Sequence, residues 1–165
     1  MKPALLIIDV QKKFFGSNPI MSQSLNDAIV NINSAIAFFR EHDLPVISVQ
    51  HLDEEADLEP GKESFELPDA LNVLDTDLHI HKRYMNSFNK TPLEEELYKL
   101  GVDTVVVTGF CAEYCVLTTC RGAEDIDLKS MLLRGASASG ILENIRFVES
   151  ICDIISLGAL KKILG

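Results

Sequence analysis

Residues 109–120 read G-F-C-A-E-Y-C-V-L-T-T-C and place three of the chain's four cysteines in one short segment. No metal-type C-x-x-C pair is among them, and a disulfide framework is unexpected in a chain of 165 residues, so a reducing, cytoplasmic setting is the expectation. The thiol with the clearest chemistry is Cys115. Just upstream, Thr104 to Val107 is a β-branched run that predicts a buried parallel strand, closed by Thr108 and Gly109. A helix is predicted to begin within a few residues, with Cys115 near its N-terminal end. Unpaired N–H groups there carry partial positive charge, which stabilises a thiolate and lowers a cysteine pKa. Cys115 is therefore a candidate nucleophile.

Two further reactive side chains end predicted strands. Ala4 to Val10 is an apolar run interrupted only by Asp9, and an aspartate left unpaired in such a run is costly to bury. Lys82 closes a third strand predicted over 77–82. His79 and His81 share the opposite face of that strand and read as packing or surface residues. Cys120 and Cys152 read as small buried hydrophobes.

The elements between them alternate in type. Ser24 and Asp27 suggest a helix start after a loop spanning 11–21, and Ile29, Ile32, Ile36 and Phe39 continue at helical spacing to just before Pro45. A second strand is predicted over 45–50. The stretch 51–74 is acidic, holds Pro60, Gly61 and Pro68, and reads as a lid. Thr91-Pro92-Leu93-Glu94 starts a helix that Gly101 ends. After the cysteine segment come a strand over 128–133, a turn over 135–140, a helix over 141–149, a sixth strand over 152–156 and a terminal helix. This alternation predicts an α/β fold: a three-layer, Rossmann-like arrangement with a mostly parallel six-stranded sheet and helices on both faces, in one domain spanning 1–165. Ligands bind beyond the carboxyl ends of such strands, so Asp9, Lys82 and Cys115 are expected to share one cleft.

Three segments in this order, A-L-L-I-I-D-V-Q at 4–11, K-R-Y-M-N-S-F-N-K-T-P-L at 82–93 and G-F-C-A-E-Y-C-V-L-T-T at 109–119, resemble the isochorismatase-like cysteine hydrolases, which include nicotinamidases and N-carbamoylsarcosine amidohydrolase. The resemblance covers nearly the whole chain. It implies Asp9, Lys82 and Cys115 as a catalytic triad, in which Asp9 takes the thiol proton, Lys82 supports both partners, and Cys115 attacks a carbonyl to give a thioester. It also implies an oxyanion hole from the backbone N–H groups of Cys111 and Cys115, with a cis Phe110–Cys111 peptide bond. The implied activity is hydrolysis of a C–N bond in a small amide or ureido compound. An isochorismatase-type vinyl-ether hydrolase is the alternative, disfavoured because that branch commonly lacks the cysteine; a non-catalytic binding protein on the same fold is a third. Dimers or tetramers are common among such proteins, so a homo-oligomer is expected.

This chain departs from the family pattern in three places. Cys111-Ala112 replace the small residue and Thr of many relatives, and Gly135 stands where Asp is often found. The nicotinamidase metal motif Asp-x-His is reversed as His51-Leu52-Asp53 and no histidine follows in the lid, so no metal is expected, although His-x-Asp can still bind one. Phe14, Phe15, Tyr84, Phe88 and Phe110 are candidates to line the pocket. Gly135 to Gly140 approaches a nucleophile elbow, but its last glycine is misplaced. The chain has no Gly-x-Gly-x-x-Gly and no P-loop, so no cofactor is expected. A receiver domain needs an acidic cluster at the first strand end, where Ile8 precedes Asp9; Q-K-K-F-F is no flavin-phosphate loop. A net charge of −10 argues against nucleic acid and anionic membranes as partners, leaving a small-molecule substrate.

Overall fold

A computed structural model describes residues 1–16 and 18–165. Its elements are β1 (Pro3–Ile8), α1 (Pro19–Glu41), β2 (Val46–His51), β3 (Leu78–Lys82), α2 (Leu93–Lys99), β4 (Thr104–Phe110), α3 (Leu117–Glu124), β5 (Lys129–Ala138), α4 (Leu142–Ile151), β6 (Ile154–Ile155) and α5 (Leu157–Leu164). The six strands run in the order β3-β2-β1-β4-β5-β6 and every pair is parallel. The two-residue side-chain period divides the sheet between two cores. Leu5 and Ile7 of β1 and Val106 of β4 face α1 and α5, packing on Leu25, Ile32, Ile36, Phe39 and Leu160. Ala4, Leu6, Ile8, Val105 and Val107 face the other way, onto Leu93 and Leu97 of α2, Cys120 of α3 and Val148 of α4.

Three local expectations change. Helix α1 begins at Pro19, not at Ser24: Asn18 caps it by accepting from the Ile20 and Met21 amides at 2.9 and 3.3 Å, with proline in its first turn. Ser24 is buried inside the helix, its hydroxyl accepting from the Ser139 amide at 3.1 Å. The expected turn over 135–140 is mostly strand, because β5 continues to Ala138 through a shift in register opposite Val107 and Gly109. β2 takes in His51, and beyond it, over 52–74, only a short 3-10 turn, Glu54–Ala56, and an Asp53–Leu58 bridge are regular, yet Leu58, Phe65 and Leu71 are buried.

The strand order reverses between β1 and β4, the point at which open α/β sheets leave a crevice at their carboxyl ends. Close approach there depends on Gly109. At its φ of +114°, a Cβ would lie 2.1 Å from the Ile8 carbonyl oxygen. No helix among the described residues is long and apolar enough to cross a membrane.

Candidate active site

Asp9 follows β1 in the left-handed region (φ 51°), a conformation that aspartate tolerates better than most residues. Its amide donates to Val49 at 2.8 Å, which anchors the turn to β2. The residue is 2% exposed, and Oδ2 receives the Lys82 ammonium at 2.8 Å. Oδ1 is buried and accepts no hydrogen bond from the described residues. Lys82 ends β3 on the same face as Ile80 and is itself 1% exposed. Beyond Asp9, its Nζ lies 3.0 Å from the Tyr84 carbonyl oxygen, 3.2 Å from His51 Nδ1 and 3.3 Å from Cys115 Sγ. Its three N–H protons are shared among these four neighbours, which compensates the buried charge.

Cys115 lies in a π-helical turn, Ala112–Val116, that leads into α3. The preceding Phe110–Cys111 peptide bond is cis. The Cys111 carbonyl accepts from the Tyr114 and Val116 amides at 3.0 and 3.2 Å, and the amide between them, that of Cys115, is not among its donors. Such π turns recur at functional sites because they free backbone groups from the regular ladder.

The electrostatics differ from the sequence-based expectation for the thiol. Burial, then the neighbouring Asp9 carboxylate, push Cys115 up to about 12, and the Lys82 ammonium offsets only part of this. Cys115 is the fourth residue of its turn, where a helix-terminal field has faded, and burial removes the water that a thiolate needs. At rest the sulfur therefore carries its proton. Asp9 is also raised, because burial outweighs the attraction of Lys82. The unpartnered Oδ1 of the Asp9 carboxylate, beside a protonated thiol, is the acceptor to which the thiol proton can pass.

Sequence reasoning passed over the role of His51. With β2 between β3 and β1, the residue that closes β2 must stand between Lys82 and Asp9, and the register pairs His51 with Lys82. Gln11, fully buried, clamps the His51 backbone on both sides, receiving its amide at 2.8 Å and donating to its carbonyl at 3.1 Å. Burial and then the Lys82 charge push His51 below its ordinary value. Asp53 lines the same pocket, but among the described residues no third His, Cys, Asp or Glu joins the two as a metal-holding group.

Glu113 was also missed, since an isolated glutamate carries no sequence signal. Its Oε2 accepts from the Cys111 thiol at 2.9 Å; its Oε1 accepts from the Ser139 hydroxyl at 2.9 Å and the Asn144 amide at 2.8 Å. Burial pushes the Glu113 carboxyl up, but those three donors outweigh it and hold the group below its ordinary value. Cys111 is pushed up to about 12, by burial and then by its bond to Glu113, so this second thiol stays protonated. The network ties the π turn to the end of β5 and to α4.

A pocket of about 350 Å³ opens beside these groups, lined by Asp9, Cys111 and Cys115 together with apolar walls from Phe14, Leu58, Met85 and Phe110. The Phe14 and Phe110 rings pack 4.6 Å apart. The other three aromatic candidates do not line this pocket. Phe15 packs on the α1 core and Phe88 on the opposite core, and neither reaches the pocket. Tyr84 is exposed, and its hydroxyl accepts from Lys90 at 3.1 Å, so it contributes to the centre only its backbone carbonyl.

Comparison with known proteins identifies relatives in sequence and in fold. The isochorismatase domain model matches residues 3–146. The isochorismatase family protein YrdC of Bacillus subtilis is 31% identical over 84% of this chain and 74% of its own length. The crystal structure of an isochorismatase from Pseudomonas putida is 32% identical, covering 84% of this chain and 71% of that one, with a TM-score of 0.76. N-carbamoylsarcosine amidase of Thermoplasma acidophilum, at 23% identity, shares the fold with a TM-score of 0.80 over 94% of this chain and 95% of its own. A sheet whose switch point gathers an aspartate, a lysine and a cysteine, under a family match across most of its length, makes this chain a member of the isochorismatase family of hydrolases.

Proposed function

We propose that the protein is a cofactor-independent cysteine hydrolase that cleaves the C–N bond of a small amide or ureido compound. The observation that carries this reading is the contact chain from Asp9 through Lys82 to Cys115, at 2.8 and 3.3 Å, beside an unpartnered carboxylate oxygen at a mostly apolar pocket. In the first step the Cys115 proton passes to Asp9 as sulfur bonds to the substrate carbonyl carbon. The carbonyl electron pair moves onto oxygen, where the Cys111 and Cys115 amides are the donors to receive it. As the C–N bond breaks, Asp9 returns the proton to the leaving nitrogen, and a thioester remains on Cys115. Water then gives a proton to Asp9 as its oxygen bonds to the acyl carbon; the C–S bond breaks as the carbonyl re-forms, the proton passes from Asp9 to sulfur, and the carboxylic or carbamic acid leaves.

The test combines ammonia release from a panel of small amides and ureides with intact-mass detection of an acyl adduct. The wild type should release ammonia and trap an adduct on Cys115, and Cys115→Ala should do neither. Ammonia release that persists in Cys115→Ala would sink the cysteine mechanism. The raised Asp9 also suits a proton donor to a vinyl ether, and hydrolysis of a vinyl-ether substrate that survives Cys115→Ala would favour that second reading. A reducing compartment fits the four free thiols, and a homo-oligomer is proposed from the family resemblance; a monomer by light scattering would refute the latter.

A further inference from the structure

Two of the four thiols, Cys120 and Cys152, lie away from the active site, in the core on the sheet face opposite α1. Cys120 is buried on α3, and Cys152 is half-buried where α4 gives way to β6. Hydrogen bonds fix these segments against each other. The Arg121 guanidinium donates to the Ile151 carbonyl at 2.7 Å, which joins the residue after one cysteine to the residue before the other. The Cys152 amide donates to the Val148 carbonyl at 3.2 Å, and the Leu132 amide of β5 donates to the Asp153 carbonyl at 2.8 Å, so the junction is anchored on the sheet. Within this frame the two thiols are hydrogen-bonding neighbours. The Ser130 hydroxyl of β5, buried and otherwise without a partner among the described residues, faces Cys120 and can donate to its sulfur. The Cys120 thiol above all lowers Cys152 to about 7; the Arg121 guanidinium assists, against burial and the carboxylates of Glu124 and Asp153. Cys120 itself is pushed up by that same bond and by burial, and so keeps the proton it donates. Cys111 and Cys115 are each pushed up to about 12, which leaves Cys152 as the thiol of the four that ionises near neutral pH.

We propose that Cys152 and Cys120 form a redox-active dithiol, in which Cys152 is the site a hydroperoxide oxidises and Cys120 resolves it to an intramolecular disulfide. With hydrogen peroxide, the Cys152 thiolate bonds to one oxygen and the O–O bond breaks. Sulfur is oxidised to sulfenic acid, and the departing hydroxide takes a proton from solvent to become water. Cys120 then bonds to that sulfur, with the Ser130 hydroxyl donating to it as it loses its proton. The S–O bond breaks, and the hydroxide leaves as water with the Cys120 proton. Two thiols are thereby oxidised to a disulfide, and one peroxide is reduced to two waters. The new bond staples α3, which follows the nucleophile turn, to the end of α4, whose Asn144 holds Glu113. Neither sulfur lines the pocket, so Cys115 stays free in the oxidised protein. This chemistry is independent of which bond the active site hydrolyses.

The test treats the reduced wild-type chain with hydrogen peroxide at neutral pH, blocks the remaining thiols with N-ethylmaleimide, and maps peptides by tandem mass spectrometry without reduction. A Cys120–Cys152 linkage, two hydrogens lighter than the reduced pair and reversed by dithiothreitol, should form at least about tenfold faster than Cys115 is modified, because Cys115 is held as the thiol. In Cys120→Ser the sulfenic acid of Cys152 should accumulate and take up dimedone. In Cys152→Ser the linkage should be lost and Cys120 should stay reduced. Oxidation of Cys115 ahead of Cys152, a Cys152 disulfide to a second chain, or a wild-type Cys152 that takes up as much dimedone as in Cys120→Ser would overturn the proposal. So would recovery of both Cys120 and Cys152 as maleimide adducts after Cys111 or Cys115 has been oxidised. The wild-type map distinguishes the linkage from oxidation elsewhere by itself, so a serine variant that fails to fold leaves the test intact.

Discussion

Replacing Asp9 by Asn removes the carboxylate while keeping a side chain of similar size beside Lys82. In the wild type the Lys82 ammonium, 3.3 Å from Cys115 Sγ, attracts a thiolate, but the Asp9 carboxylate opposes it and burial opposes it more. At an effective dielectric of ~20 the ammonium–thiolate attraction at this separation is about 5 kcal/mol before desolvation. In Asp9→Asn only burial still opposes that attraction, and ionising Cys115 supplies the counter-charge that buried Lys82 has lost; leaving such a charge unpaired costs about 3–5 kcal/mol. The thiol should therefore fall from about 12 by at least two units, raising its alkylation rate near pH 8 on the order of a hundredfold. Turnover should move the other way, losing roughly 10²–10⁴-fold with the general base. The assay is the pH profile of iodoacetamide labelling, mapped by peptide mass, beside amide hydrolysis on the same preparations. It belongs in a Cys152→Ser background: Cys152 is lowered by the adjacent Cys120 thiol and would label ahead of Cys115. A folded Asp9→Asn protein whose Cys115 labels no faster than wild type, or which keeps its activity within a few-fold, would refute the assignment of Asp9 as the base that opposes the thiolate.

Lys82→Met leaves a buried carboxylate without its counter-charge and should cost about 3–5 kcal/mol in urea unfolding at neutral pH, with activity lost; a loss under 1 kcal/mol would contradict a buried, paired Lys82. Because the folded pKa of Asp9 is raised, the base is protonated up to a higher pH than an ordinary carboxylate. The acid limb of kcat/KM should accordingly lie above the ordinary 3.8, and the buried anion should cost stability as pH rises through that limb; a limb at or below 3.8 would disprove this. Glu113→Ala unpins Cys111 and orphans Ser139 and Asn144, so kcat should fall at least about tenfold with KM little changed, while an effect confined to KM would argue against a role in holding the π turn. Gly109→Ala forces a Cβ to within 2.1 Å of the Ile8 carbonyl and should destabilise by about 3 kcal/mol, read as a lower Tm; an unchanged Tm would show that β1 and β4 can separate there.

Much of the fold and its central residues could be read from the chain. Continuous apolar runs such as Ala4 to Ile8 and Thr104 to Val107 report strands covered on both faces, and alternation with helices leaves a parallel sheet as the economical solution. Once strands are placed, Asp9, Lys82 and Cys115 fall at their carboxyl ends by position alone. Local starts and stops were less legible. Asn18-Pro19 outcompeted Ser24 as a cap because the chain has several acceptable caps and packing selects one. β5 ran through Gly135 because pairing with β4 outweighed turn propensity.

Strand order, desolvation and contacts distant in sequence belonged to the tertiary structure. The order β3-β2-β1-β4 put His51 between Lys82 and Asp9, a neighbourhood that no spacing along the chain encodes. Glu113 met Ser139 and Asn144 across 26 and 31 residues of sequence, so its role could not be seen locally. The protonation of Cys115 reversed between the two levels for the same reason. The sequence shows a helix start and a lysine, which favour a thiolate, but burial and the nearby carboxylate exist only once the chain has folded, and at such short range in a dry site they dominate.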